Sequence, residues 1–219
     1  MIDLDSPASR ERRHAMVERQ LRGRGIRDPR VLGAFERIPR HVFVPEREQE
    51  IAYADSPLPI GSGQTISQPL MVAEMLQEME LRGDERVLDV GAGSGYQTAL
   101  LTCLAREVVA IERLPELAER ARKVLLWIGI TNAEVIVGDG SVGYAPRAPY
   151  DAIVVGAAAP EVPPALLEQL ADGGRLLIPV GDRFGQVLLR IRRHGARFTR
   201  EQLTLCTFVP LVGAQGWSE

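Results

Sequence analysis

Past residue 84 the chain alternates short, almost unbroken apolar runs with longer stretches whose apolar residues recur every three or four positions. "RVLDVG", "VVAIE", "AEVIVGDG", "YDAIVVG" and "RLLIPV" read as strands. "YQTALLTCLA", "PELAERARKVLLWIG" and "PPALLEQLADGG" read as helices, the second closed by Gly129. Strands this apolar need cover on both faces, which a parallel sheet with helical crossovers provides. The alternation therefore predicts an α/β fold with a doubly wound, mostly parallel sheet. The final "QVLLRIRRHGARFTREQLTLCTFVP" is different, with two strand-like runs around a short connection. It predicts an antiparallel pair added at one edge.

Before residue 84 the pattern is helical and more polar. One helix is expected over 10–23, ended by "GRG", and another over 29–38, opening with Pro29 where a first turn tolerates it. A third, over 69–81, places Val72, Met75, Leu76 and Met79 on one face. Between them "YADSPLPIGSGQTISQP" reads as irregular chain. Residues 1–83 are thus expected to form a helical cover with a substrate loop, packed on a catalytic domain at 84–219 as one structural unit.

Composition narrows the function classes. Hydrophobic residues make up 45% and charged residues 25% of the 219 positions, with a formal net charge of -3. That balance favours neither nucleic acid nor an anionic membrane as partner. The arginines between 10 and 30 are interleaved with glutamates and read as a solvated helix face. No apolar run approaches a membrane span and the N-terminus lacks a signal-peptide core, so a cytoplasmic location is expected. Cys103 and Cys206 sit in apolar surroundings and read as buried free thiols. His14, His41 and His194 lack ligand spacing, and no metal site is expected.

Three strand ends carry candidate chemistry. In "VLDVGAGSGYQTALL", Gly91, Gly93 and Gly95 follow a strand and open a helix, allowing a tight turn and close approach of a ligand. The spacing is GxGxG, and Tyr96 stands where the dinucleotide fingerprint wants a third glycine. Asp89 is placed for the ammonium group of an amino-acid tail. Glu112, about twenty residues on, can accept from both ribose hydroxyls, or be merely solvated. Asp139 and Gly140 in "GDG" can receive an exocyclic amine such as adenine N6, or form an ordinary Asp-Gly turn. Together they describe a pocket for adenosine with a polar tail and no phosphate, which suits S-adenosylmethionine better than NAD.

With "LPIGSGQTISQP", "VLDVGAGSGYQTA", "GDGSVGYAPRAPYDAIVVGAAAPEVPPALLEQLADGGRLLIPVG" and "FVPLVG", the chain resembles the protein-L-isoaspartate O-methyltransferase family over nearly its whole length. The resemblance implies a Rossmann-like AdoMet-dependent methyltransferase fold. It implies methyl transfer from S-adenosyl-L-methionine to the α-carboxylate of L-isoaspartyl residues in damaged proteins and peptides, with S-adenosyl-L-homocysteine as product. The methyl ester then closes to a succinimide. It further implies that Ser67 is the active-site serine, that Thr65, Ile66 and Ser67 line the boundary between cofactor and substrate, and that Asp89, Gly91, Gly93, Glu112, Asp139 and Gly140 hold the cofactor. The expected substrate cleft lies between the loop of Ile60, the "GAAAP" of Ala157 and the "FVPLVG" of Val209, and the expected assembly is a monomer.

The chemistry suits an uncharged loop. An α-carboxylate has an unperturbed pKa of about 3.5 and needs no general base at neutral pH. It needs alignment and removal of water. Ser67 is therefore expected to position the substrate rather than react, although its place before Pro69 also suits a helix cap. Other readings fit parts of the sequence: a methyltransferase for another carboxylate, small molecule or nucleic acid, a dehydrogenase using Glu112 for ribose, or a noncatalytic binding module.

Overall fold

The structure, a computed structural model, describes residues 5–218. Among these, seven strands form one sheet in the order β5-β4-β3-β6-β7-β8-β9. They are β3 (Arg86–Val90), β4 (Glu107–Glu112), β5 (Ala133–Val137), β6 (Tyr150–Val155), β7 (Leu170–Gly181), β8 (Gln186–His194) and β9 (Arg197–Cys206). β3 to β7 run parallel, and β8 and β9 add the antiparallel edge. The expected mixed, mostly parallel sheet is what forms. Its apolar runs are buried because helices α4 (Tyr96–Thr102), α5 (Pro115–Trp127) and α6 (Pro164–Glu168) connect the parallel strands. The strand order reverses beside β3, and in open α/β sheets ligands bind outside the carboxyl ends at such a point.

The N-terminal cover consists of α1 (Pro7–Ala15), continued by a π-helical turn at Met16–Leu21, then α2 (Pro29–Arg37) and α3 (Pro69–Glu78). Met16, Leu21, Leu32, Phe35 and Met75 share one apolar cluster with Val87, Val108 and Ala110 of the sheet. Arg40 is fully buried beneath this cover. Its Nε donates to Ala52 O at 2.8 Å, and its guanidinium lies 5.0 Å from the centre of the Tyr96 ring. Burial lowers its pKa to about 10, so it remains a cation at neutral pH. The segment around Ala52 is thereby tied to the first residue of α4.

Three local expectations change. "PIGSGQTI" is a hairpin, β1 (Leu58–Gly61) and β2 (Gln64–Ile66), turning through Ser62 and Gly63 at φ 50 and 69. Positive φ at both turn residues matches the twist of paired strands, and Ser-Gly was the available signal. The helix expected over "PPALLEQLADGG" stops at Glu168, because Leu170 already pairs with Tyr150 and Gly173 at φ 75 lets the chain bulge before Arg175 rejoins the ladder. Finally, the arginine-rich helix is not wholly solvated. Arg13 is buried and forms a bidentate pair with Asp5, at 2.6 and 2.9 Å.

The start of α3 decides how "TISQP" is presented. Its N-cap is Gln68, with no side-chain cap bond, and Pro69 has no N–H to satisfy. The amide of Leu70 is taken by Asp55 Oδ1 at 3.0 Å, and the same carboxylate pairs with Arg24. Asp55 is therefore the cap, supplied from the preceding turn, and Ser67 is not. Asp55→Ala is expected to lose about 1 kcal/mol of stability in urea unfolding, the usual cost of a lost cap.

Candidate active site

The turn after β3 is built by backbone. Gly91, Gly93 and Gly95 have φ of 85, 53 and 86, a region that L side chains rarely occupy. This lets the amides of Gly91 and Ala92 both donate to Ile111 O, at 2.8 and 3.0 Å. Gly93 N donates to Glu112 Oε2 at 2.8 Å, and Leu114 N donates to Oε1 at 2.9 Å. A Cβ on Gly93 would come within 3.3 Å of Ile60 Cδ1, so the hairpin rests directly on the turn.

Two cavities open here. One, of about 270 Å³, is lined by Thr65, Gly91, Gly93, Glu112, Gly140, Ala157 and Val209 of the expected residues. The other, of about 540 Å³, is lined by Ser67, Thr65, Val209 and residues of the antiparallel edge. Thr65, Gly156 and Val209 border both. Ser67, with a partly exposed side chain, faces the larger cavity and not the smaller.

Several expected contacts fall elsewhere. Asp89 does not line either cavity: it is fully buried, accepting from Thr98 Oγ1 at 2.6 Å and Gln97 Nε2 at 2.8 Å. It braces the first turn of α4 from below. Burial raises its pKa to about 6, opposed by those two hydrogen bonds and assisted by the charge of Glu112. Gly95 packs against α5, where a Cβ would lie 3.1 Å from Ala121 Cβ, and does not line either cavity. Ile60 and Ile66 are buried in the core beneath the hairpin. Asp139 accepts at Oδ1 from Ser141 N and Oγ, and at Oδ2 from Ala214 N at 2.7 Å. Partial burial works against its ionisation, but these bonds and Arg113 hold its carboxyl below the usual range. Its partners are thus Ser141 and the chain's own C-terminal loop, and Gly140 lines the cavity.

That loop was the least legible part of the sequence. Ala158 N donates to Val209 O at 2.8 Å and Leu211 N to Ala158 O at 2.7 Å, which joins the "GAAAP" and "FVPLVG" segments into one wall. Trp217 seals it, its Nε1 donating to Ala158 O at 3.0 Å and its ring 5.2 Å from the Arg183 guanidinium. Leu211 and Val212, held this way, line the smaller cavity. Gly156, Gln68 and Gln186 are further lining residues without a motif of their own. Both cysteines are free but only half-buried, and Cys206 borders the larger cavity, with its thiol pKa pushed up to about 11 by burial. At the surface, His14 and Glu36 pair at 2.8 Å beside Glu18, which is itself paired with Arg22.

The pH dependence of Asp89 has a definite sign. Its folded pKa lies above the ordinary 3.8, so the stability contributed by protonation is complete below that value and lost as pH rises through about 6. Relative to Asp89→Asn, the wild type should gain about 1 kcal/mol on going from pH 7 to pH 5 in urea unfolding. A parallel pH dependence of the two proteins would refute the buried charge.

Comparison with known proteins agrees with this architecture. The family model for protein-L-isoaspartate(D-aspartate) O-methyltransferase matches residues 11–216. A protein-L-isoaspartate O-methyltransferase of Methanoculleus marisnigri is 53% identical over 98% of this chain and 97% of its own length. One from Rhodopseudomonas palustris is 51% identical over 99% and 89%. A solved protein-L-isoaspartate O-methyltransferase superposes with a TM-score of 0.85 at 27% identity, over 93% of this chain and 67% of the other. A Plasmodium falciparum protein assigned to the same activity, solved with S-adenosyl-L-homocysteine, gives a TM-score of 0.77 at 29% identity, over 89% and 95%. The chain belongs to the protein-L-isoaspartate(D-aspartate) O-methyltransferase family.

Proposed function

We propose that this chain transfers a methyl group from S-adenosyl-L-methionine to the α-carboxylate of L-isoaspartyl residues in damaged proteins and peptides, starting their repair through a succinimide. The observation that carries the reading is the pair of cavities meeting at Thr65, Gly156 and Val209, one bordered by a carboxylate and a glycine turn, the other by hydroxyls and amides. The smaller cavity fits the cofactor. Val90, Ile111 and Leu211 give it apolar walls for a base, Glu112 offers a carboxylate for a ribose diol, and Gly91 and Gly140 line it with backbone, Gly140 packed so closely that a Cβ would lie 2.6 Å from Val90 Cγ1. When bound there, the cofactor supplies an electrophilic methyl group.

The larger cavity receives the isoaspartyl residue. Its nucleophile is already an anion, and the charged groups nearby are directed away from it: Asp55 to the start of α3 and Arg24, Asp182 to the amides of Phe184 and Gly185. Ser67, not engaged as a cap, donates a hydrogen bond that orients the carboxylate and leaves it charged. Thr65 lies at the junction and shields the transfer from water. Discrimination against aspartate is geometric, because the two carboxylates differ little in acidity and much in their place along the main chain. Residues 1–83 act as a cover that delivers the hairpin to the sheet, and the protein meets its isoaspartyl partners as a cytoplasmic monomer.

The test is methyl transfer from labelled cofactor to twin peptides, one with L-isoaspartate and one with L-aspartate, read as base-labile methanol. The wild type labels the first alone. Ser67→Ala lowers turnover by about tenfold or more, with unfolding free energy within about 0.5 kcal/mol of wild type because no cap is lost. Unchanged turnover in the variant removes Ser67 from the mechanism, and label on neither peptide removes the activity.

A further inference from the structure

Arg40 and Tyr96 are both buried, and each holds a polar atom without a hydrogen-bond partner among the described residues, Nη1 in the first and the phenolic oxygen in the second. The partners that Arg40 does have are neutral. Its Nε donates to Ala52 O at 2.8 Å, its Nη2 lies 3.5 Å from Ser56 O, and its guanidinium sits 5.0 Å from the centre of the Tyr96 ring. A cation buried among neutral groups costs the fold stability, and an apolar residue of similar volume is often tolerated as well or better. Stability alone therefore does not account for an arginine here.

What the arginine adds is a directed connection between the two cavities. Ser56 immediately precedes Pro57, which lines the larger cavity, and the chain then enters β1, whose Pro59 pairs with Thr65 where the cavities meet. Tyr96 immediately follows Gly95, the last glycine of the turn that borders the smaller cavity. A glycine in place of Tyr96 would offer nothing to hold. Here the ring is held by Phe35 at 6.0 Å, by Phe43 at 5.4 Å and by Arg40. Ile60 also packs on the turn, but apolar contact has no preferred direction, whereas a hydrogen bond and a cation over a ring face do.

We propose that Arg40 is a positioning residue for methyl transfer, holding the hairpin beside the substrate in register with the glycine turn beside the cofactor. This rests on the assignment of the smaller cavity to S-adenosyl-L-methionine and of the larger to the isoaspartyl carboxylate. Transfer forms a bond from carboxylate oxygen to methyl carbon while the carbon–sulfur bond breaks and its electron pair returns to sulfur, so the three atoms must lie on one axis. A small shift of one wall against the other slows that step without weakening either ligand. Arg40 lines neither cavity, and acts through Tyr96 on one side and through the chain at 52–57 on the other.

The experiment measures kcat, both KM values and S-adenosyl-L-homocysteine binding with an isoaspartyl peptide as acceptor, for Arg40→Met, Arg40→Lys, Tyr96→Leu and the Arg40→Met/Tyr96→Leu double variant. Arg40→Met is expected to lose about tenfold or more in kcat, with KM values and S-adenosyl-L-homocysteine affinity within about twofold of wild type. Arg40→Lys, which keeps a cation beside the ring but not the forked donors, falls between Arg40→Met and wild type. Tyr96→Leu matches Arg40→Met, and the double variant is no slower than either, because each single change already breaks the same connection. Full kcat in Arg40→Met with only a lowered melting temperature makes the residue structural and overturns the proposal, as do losses that multiply in the double variant. If Arg40→Met does not fold, Arg40→Lys and Tyr96→Leu carry the test, and full kcat in both overturns the proposal equally. Wild type that methylates no isoaspartyl peptide overturns the assignment of the cavities and the proposal with it.

Discussion

The site depends on one backbone constraint, the left-handed turn that ends β3. With Gly91, Gly93 and Gly95 all at positive φ, the chain gives two successive amides to Ile111 O and a third to Glu112, and is ready to begin α4 at once. Each of these bonds joins β3 to β4, so the strand end carrying Glu112 is positioned by the turn. Asp89 holds the arrangement from beneath, and Ile60 presses on it from above. An ionisable group buried completely under a turn is costly to the fold. It persists here because its hydrogen bonds fix Gln97 and Thr98, the residues that must continue the helix.

The larger cavity is organised from a greater distance. Arg40 carries the effect of the cover, binding the turn at Ala52 while stacking on Tyr96, directly after the last glycine. Asp55, a few residues later, caps α3 and so sets the direction of "TISQP". The segment just before the hairpin is thus tied to the start of α4 by Arg40 and to the start of α3 by Asp55. The side chains lining the larger cavity are uncharged, while Asp55 and Asp182 hold the frame around it.

The sheet was legible because its signal is repetitive: β3, β4 and β6 are short apolar runs, and only a doubly covered parallel sheet satisfies several of them together. The hairpin was not, since a two-residue Ser-Gly turn between strands this short leaves too little alternation to separate it from a loop. The truncated α6 shows the opposite failure. "ALLEQL" has a helical period, but the pairing of Leu170 with Tyr150 lies twenty residues away in sequence and overrides it.

The site residues divide in the same way. Glu112, Gly91, Gly93 and Gly140 line a cavity because strand ends point there by topology. Asp89, Gly95 and Asp139 belong to the same motifs, yet the first braces a helix, the second lets α5 approach, and the third fastens the C-terminal loop. A motif thus records what a backbone shape requires as well as what a ligand touches, and only burial and hydrogen-bond partners separate the two. Asp139 shows the consequence. By taking Ala214 N it fastens the C-terminal loop whose Leu211 and Val212 line the cavity wall.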